Sequence, residues 1–477
     1  MKTLFLPVNA PAPAGKPKRL RAVEPVRPVG VLGGPVAGVL CAVLGVVCSV
    51  SSGAEDLGKL EKELRQAIST RQIPKALALT HELAETGDPA AYDILIRRCL
   101  VGNSYKLERR VGQLLVDCAD PEVRALVFAE LGSRKMPTFK RRIILLAVAA
   151  RIADDAQALA AIHGALKDPS RAVVLTSLSW IRKLRKKEFI EPLIGELEIR
   201  EKRPRDRIYF DILKALREIT SADLELSADW KSYLKSRKNG SSAVPKKKEK
   251  SLTVVHRPSF FEVAVDTDRV LFLIDVSESM KKHDAVIEEG EPRRRGRGNR
   301  ADSRTKISGG GKEKKEVKKR APSGLSRQRL ARVKKELIKV IQQLGSSTRF
   351  GVASFSHEIK WMGGTKTLRL ASAGNKATAI TWVRSLKAYG ATRTDQALAE
   401  ALAVDVDTVY LLTDGAPKDV HDTRLPIERI LAQTKVTNRF LRNRIHTVSF
   451  LGVKDSRMKR FVKTLATQND GECKLLP

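Results

Sequence analysis

Two apolar runs, each ending in an aspartate, set the strongest limit on what this chain can fold into. Val270-Leu-Phe-Leu-Ile274 and Val409-Tyr-Leu-Leu412 are continuous, uncharged and made of residues that suit strands buried on both faces. Such strands need helices on both sides, so the expected class is an α/β doubly wound sheet. The first run passes into Asp275, Ser277 and Ser279, one carboxylate and two hydroxyls at alternate positions. The second passes through Thr413 into Asp414 and Gly415. Between them, Tyr389-Gly-Ala-Thr-Arg-Thr-Asp-Gln-Ala-Leu398 puts Thr392 in a glycine-led loop that runs into a helix. In open α/β sheets ligands bind in the crevice beyond the carboxyl ends of the strands. Hard oxygen donors gathered there suit Mg²⁺, which prefers octahedral oxygen coordination and keeps waters for a partner to displace.

Each stretch alone is a weak signal, because Asp and Ser are common turn formers after a strand. Together, and in this order, the three resemble the von Willebrand factor A (VWA) domain with its metal-ion-dependent adhesion site. The resemblance covers roughly Arg257 to Pro477, and the domain is placed at 258–477. It implies a divalent cation, Mg²⁺ or else Mn²⁺ or Ca²⁺, held by Asp275, Ser277, Ser279, Thr392 and Asp414. It also implies a partner protein whose acidic side chain completes the metal, which is binding without bond breaking. The family typically has glycine where this chain has Glu278. Glu278, Lys418 and Asp419 are the candidate partner-binding residues beside the metal.

The rest of this part alternates as a doubly wound sheet should. Strands are expected over Arg349–Phe355, Thr408–Leu412, Arg444–Phe450 and Cys473–Leu476. Helices are expected over Ala377–Leu386, Asp395–Val404, Ile427–Leu441 and Ser456–Thr467. One departure from the family stands out. Between Met280 and the amphipathic run starting at Ser326 lies a basic insertion, 281–325, with Arg293-Arg-Arg-Gly-Arg297 and almost no apolar side chains. Too little surface is available there to offset chain entropy, so disorder is expected. It is either a solvated insertion or a recruiter of an anionic polymer such as nucleic acid. Without interleaved aromatics, a specific nucleic-acid reading has little support.

Upstream, residues 55–236 read as successive amphipathic helices. Val174, Leu178 and Ile181 share one face, as do Ile190, Leu193, Ile194 and Leu197. Asp88-Pro89, Asp120-Pro121 and Asp168-Pro169 are each expected to open a helix, with Asp as N-cap and Pro at the first helical position. Units too small to bury their own faces must stack, and the pattern resembles HEAT-type repeats; a plain helical bundle is the alternative. A basic, flexible linker, 237–257, follows. Cys99 and Cys118 sit among apolar neighbours as core residues rather than a bridge.

The first 54 residues combine a basic, proline-rich leader with the uncharged run Val29–Val50 and small residues at Ser52-Gly-Ala54. This is the pattern of a signal peptide, or of a signal anchor that keeps the chain on the membrane. Either places the remainder outside the cytoplasm, in the periplasm or cell envelope or secreted. Charge is lopsided, with 89 Lys and Arg against 54 Asp and Glu and a net charge of +35.

Catalytic patterns are missing from the sequence. The 7 histidines are scattered, and no His-Glu-x-x-His or Gly-x-Ser-x-Gly occurs. The expectation is therefore a non-catalytic adhesion scaffold at the cell envelope, like bacterial HEAT-repeat/VWA proteins. An alternative is an RNA-binding protein resembling the Ro family, which joins HEAT-like repeats to a VWA-like domain. A third, a cofactor subunit of a chelatase-type ATPase, requires a cytosolic location.

Overall fold

Helix starts in the N-terminal part follow the Asp-Pro turns, with one exception. The structure, a computed structural model, describes residues 55–202, 205–238, 257–283, 328–418, 421, 423–450 and 456–476. Two units separate at Lys59 and Leu60, and the architecture below is that of the second, Leu60–Pro477. The leader, most of the linker and most of the basic insertion lie outside the described residues. Among the described residues no helix is long and apolar enough to cross a membrane.

After a helix ending at residue 69 (α1), the helices are α2 Ile73–Glu85, α3 Pro89–Cys99, α4 Tyr105–Asp117, α5 Pro121–Gly132 and α6 Phe139–Ala149. They continue as α7 Ala156–Gly164, α8 Arg171–Leu184, α9 Ile190–Glu201, α10 Arg207–Thr220 and α11 Ser227–Lys238. Asp88 and Asp120 cap α3 and α5 as expected, each accepting a backbone N–H two residues on. Asp168 does not cap α8. Helix α8 starts later, with Ser170 at its N-cap, and the Asp168 carboxylate is drawn into a buried two-pronged pair with Arg142 at 2.7 and 3.0 Å. A guanidinium buried without that carboxylate would be costly, and Asp168 serves it while keeping its turn bond to Ser170.

The helices stack in two rows. α2, α4, α6, α8 and α10 pack successively along one, α3, α5 and α7 along the other, and α9 pairs with α11 at the far end. This is the arrangement of helical repeats. Trp230 of α11 is fully buried and closes the last layer. Cys99 and Cys118 are free thiols, Cys99 being buried.

The second part is built on a sheet. Its strands are β1 Ser259–Phe260, β2 Val263–Ala264, β3 Arg269–Asp275, β4 Arg349–Phe355, β5 Ile359–Trp361, β6 Arg369–Leu370, β7 Thr408–Leu412, β8 Arg444–Phe450 and β9 Cys473–Leu476. The order is β5-β4-β3-β7-β8-β9, with β6 also on β4. β4, β3, β7, β8 and β9 are parallel, while β5 and β6 run antiparallel to β4. Side chains alternate between faces along a strand, and β3 is apolar on both. Val270, Phe272 and Ile274 join the core with α12 (Arg329–Gln343) and α13 (Ala373–Ser385). Leu271 and Leu273 face α14 (Thr394–Leu402), α15 (Ile427–Asn438) and α16 (Ser456–Gln468).

β1 and β2 form a separate hairpin that sequence alone does not announce. Its two turn residues, Phe261 and Glu262, hold φ of 49° and 67°, a conformation normally supplied by Asn or Gly. Burial of Phe261 against Phe450, with ring centroids 6.0 Å apart, accompanies this strain.

The helical rows meet the sheet at the amino ends of its strands. Arg207 of α10 donates to the carbonyls of Asp407 and Arg442 at 2.9 and 2.5 Å. Arg444, the first residue of β8, pairs with Asp211 of α10, and Arg171 of α8 pairs with Asp407. Farther along the same row, Arg439 reaches Glu108 and the Gly102 carbonyl, both at 3.0 Å. The row of even-numbered helices is thus occupied by the chain's own α/β part. The carboxyl ends, about 20 Å away along strands of seven residues, face elsewhere.

Candidate metal-binding site

Strand order makes a crevice here for a topological reason. The connection out of β3 leads to β4 on one side, whereas that out of its neighbour β7 leads to β8 on the other, so a crevice opens between them. Asp275 ends β3, and Asp414 lies just beyond its neighbour β7. Parallel register brings the two carboxylates to the same end of the sheet.

Asp275 is fully buried. One carboxylate oxygen accepts the Ser277 backbone N–H at 2.8 Å, and the other accepts the Thr413 hydroxyl at 2.7 Å. The Ser277 and Ser279 hydroxyls lie 3.0 Å apart, and Ser279 donates to Asp414 Oδ1 at 2.5 Å. Thr392 joins them across Gly415. A Cβ at that glycine would lie 3.1 Å from Thr392 Oγ1 and 3.5 Å from Ser279 Oγ. All five predicted donors therefore converge.

The Thr392 loop is held from two sides. Tyr389 N–H donates to the Val276 carbonyl at 2.7 Å, and Lys418 N–H to the Thr392 carbonyl at 2.9 Å. Gly390 has a φ of +74°, and a Cβ there would fall 2.3 Å from His357 Nδ1, so only glycine fits. Lys418 thus positions Thr392 through its backbone. Glu278 is exposed; its carboxylate meets Lys281 at 2.6 Å, while its N–H donates to the Gly390 carbonyl at 3.0 Å. Asp419 lies outside the described residues.

Two residues at the site carried no signal in the sequence reading. Thr413 is one, since its hydroxyl serves Asp275. The other is Arg329, the first residue of α12, whose guanidinium donates to Asp414 Oδ2 at 2.7 Å. A single arginine in a chain this basic has no distinguishing mark.

Burial first, and then the neighbouring Asp414 charge, push the Asp275 carboxyl up to about 7, although its hydrogen bonds act the other way. A carboxylate buried beside another favours an added cation. Among the described residues no three His, Cys, Asp or Glu side chains gather. The donor set is instead two carboxylates and three hydroxyls, which favours a hard oxygen-seeking ion over zinc. By donor chemistry and by the space Gly415 leaves, these residues fit Mg²⁺ or Mn²⁺. His446 is not part of the set. It is buried in β8, stacks on Tyr410 at 4.7 Å and accepts the Glu472 N–H at 3.0 Å.

Residues 323–475 match the von Willebrand factor type A domain family. The matched stretch contains Thr392 and Asp414 and begins at residue 323, near the end of the insertion, so Asp275, Ser277 and Ser279 join it only in three dimensions. Among solved structures, the chain is similar to a von Willebrand factor type A protein from Catenulispora acidiphila, at 17% identity over 45% of this chain and 40% of that one, with a TM-score of 0.30. It is also similar to a mutant of the PilB minor pilin from Streptococcus sanguinis, at 13% identity over 43% and 56% of the two chains, with a TM-score of 0.26. The chain spans less than two thirds of either. No curated protein matches. An all-helical region of stacked repeats precedes a mixed, mainly parallel sheet, and residues 323–475 of that second part match the VWA domain family.

Proposed function

We propose that this chain is a non-catalytic binding protein that engages a partner protein through a divalent cation at the carboxyl end of its sheet. The observation that carries the reading is the convergence of Asp275 and Asp414, both buried, with the hydroxyls of Ser277, Ser279 and Thr392. Asp275 and Asp414 would balance the cation's charge, and the three hydroxyls would fix its surroundings. When bound, the cation supplies electrostatic attraction for an acidic side chain of the partner. Thr413 orients Asp275 through its 2.7 Å hydrogen bond, and Lys418 holds the Thr392 loop. The helical rows brace the opposite end of the sheet, so the carboxyl end is presented on a rigid base. The apolar run 29–50, with its basic leader, supports export to the envelope as part of the same reading.

The test is a thermal melt of the full chain, washed free of metal, with and without Mg²⁺ or Mn²⁺. A cation bound only by the folded state raises Tm by mass action. The reading expects a rise that Asp275→Ala abolishes. No rise in the unsubstituted protein would remove the metal mechanism and turn attention to the basic insertion. Binding of RNA that weakens steeply with salt would then favour the Ro-like alternative.

A further inference from the structure

We infer that Arg329 is a built-in competitor of the divalent cation, because its guanidinium and the cation need the same carboxylate. The inference rests on the metal reading above. Asp414 has both oxygens engaged: Oδ1 accepts the Ser279 hydroxyl at 2.5 Å and Oδ2 accepts Arg329 Nη1 at 2.7 Å. The Asp414 side chain is shut off from solvent, and that of Arg329 is only 15% exposed. Water therefore screens the pair weakly, and a cation placed among the hydroxyls meets a positive charge at close range.

Arg329 is also held where it is. Its backbone N–H donates to the Lys282 carbonyl at 3.0 Å, and the preceding Gln328 bridges to His283. Its guanidinium lies 5.8 Å from the centre of the Phe450 ring. The chain leaving the metal loop at His283 and the chain returning at Gln328 are pinned together, which fixes the arginine beside Asp414. A divalent ion entering the site either shares Asp414 with Arg329 or moves the guanidinium away, and both reduce its affinity.

The experiment is a calorimetric titration of metal-free full chain with Mn²⁺, using the unsubstituted protein, R329Q, R329K and D275A. Removing the charge should tighten Mn²⁺ binding about tenfold, the value of one charge-assisted hydrogen bond. R329K keeps a charge but loses the planar fork, and should fall between the two. Equal or weaker binding by R329Q, with the unsubstituted protein binding and D275A silent, would overturn the inference while leaving the metal reading intact. If neither the unsubstituted protein nor R329Q binds Mn²⁺, the metal reading fails and this inference fails with it. Metal-free melts show whether each variant folds. Should R329Q not fold, R329K decides, since binding no tighter than the unsubstituted protein's is the overturning result.

Discussion

Charge is buried at both ends of the same sheet, with opposite consequences. At the amino ends, one carboxylate, Asp211, lies between two guanidiniums, Arg207 and Arg444. Burial works to raise the Asp211 carboxyl, yet the Arg444 and Arg207 guanidiniums overcome it and hold the group down to about 2. Arg207 is pushed down to about 10, by burial and then by Arg444. At the carboxyl ends, two carboxylates converge with hydroxyls and one guanidinium, and Asp275 rises to about 7. Burial is equally deep, so the number of partners decides the direction. A carboxylate facing two guanidiniums ties two layers together, whereas one facing a second carboxylate is poised to bind a cation. Asp407 marks the limit of the contrast. It lies at the amino ends, but burial carries it up to about 7 despite Arg171.

The largest expected effect tests the amino end. Asp211→Ala leaves two buried guanidiniums short of a partner and should cost about 3–5 kcal/mol, read as a drop in Tm or in denaturant midpoint. Asp275→Asn in metal-free buffer removes an undercompensated charge, and should leave Tm unchanged or raise it. If the two substitutions destabilise alike, the contrast between the ends is lost.

Acidity provides the next test, and the sign differs between the ends. A carboxyl raised in the folded state binds its proton more tightly there, so metal-free stability falls as pH rises from the ordinary 3.8 to about 7 and then levels. Asp407 contributes with the same sign, so the difference between the unsubstituted protein and Asp275→Asn isolates Asp275. Asp211 behaves oppositely, its contribution being full above 3.8 and lost as pH falls toward about 2. A cation must displace the Asp275 proton below neutrality. The Tm rise given by Mg²⁺ should therefore be larger at pH 8 than at pH 5.5, with no such trend in Asp275→Asn. An equal rise at both values would contradict the assignment.

The smallest effect sharpens the geometry. Gly415→Ala puts a methyl 3.1 Å from Thr392 Oγ1, so the hydroxyl must give way by a few tenths of an ångström. Mn²⁺ affinity should drop severalfold, roughly 1 kcal/mol, with metal-free Tm shifting little. Unchanged affinity would place Thr392 outside the metal's reach.

Local pattern carried most of the fold. The buried strands Arg349–Phe355, Thr408–Leu412 and Arg444–Phe450 are found where their apolar runs predict, because a strand covered on both faces declares itself in a few consecutive residues. Helix ends were legible to within a few residues, and α13 starts at Ala373 rather than Ala377, since Ser372 caps it earlier. The five residues that converge at the carboxyl end each sit at a strand end or glycine turn that sequence marks.

What only the tertiary structure decided is which charges meet. Asp168 met Arg142, Arg329 came to Asp414 across the insertion, and Arg207 and Arg444 joined the helical rows to the sheet. Apolar residues report their environment through spacing, because one face of an element must be dry. An ion pair needs only two side chains brought together from anywhere in the chain. Among 89 Lys and Arg, nothing local distinguishes the few that the fold buries.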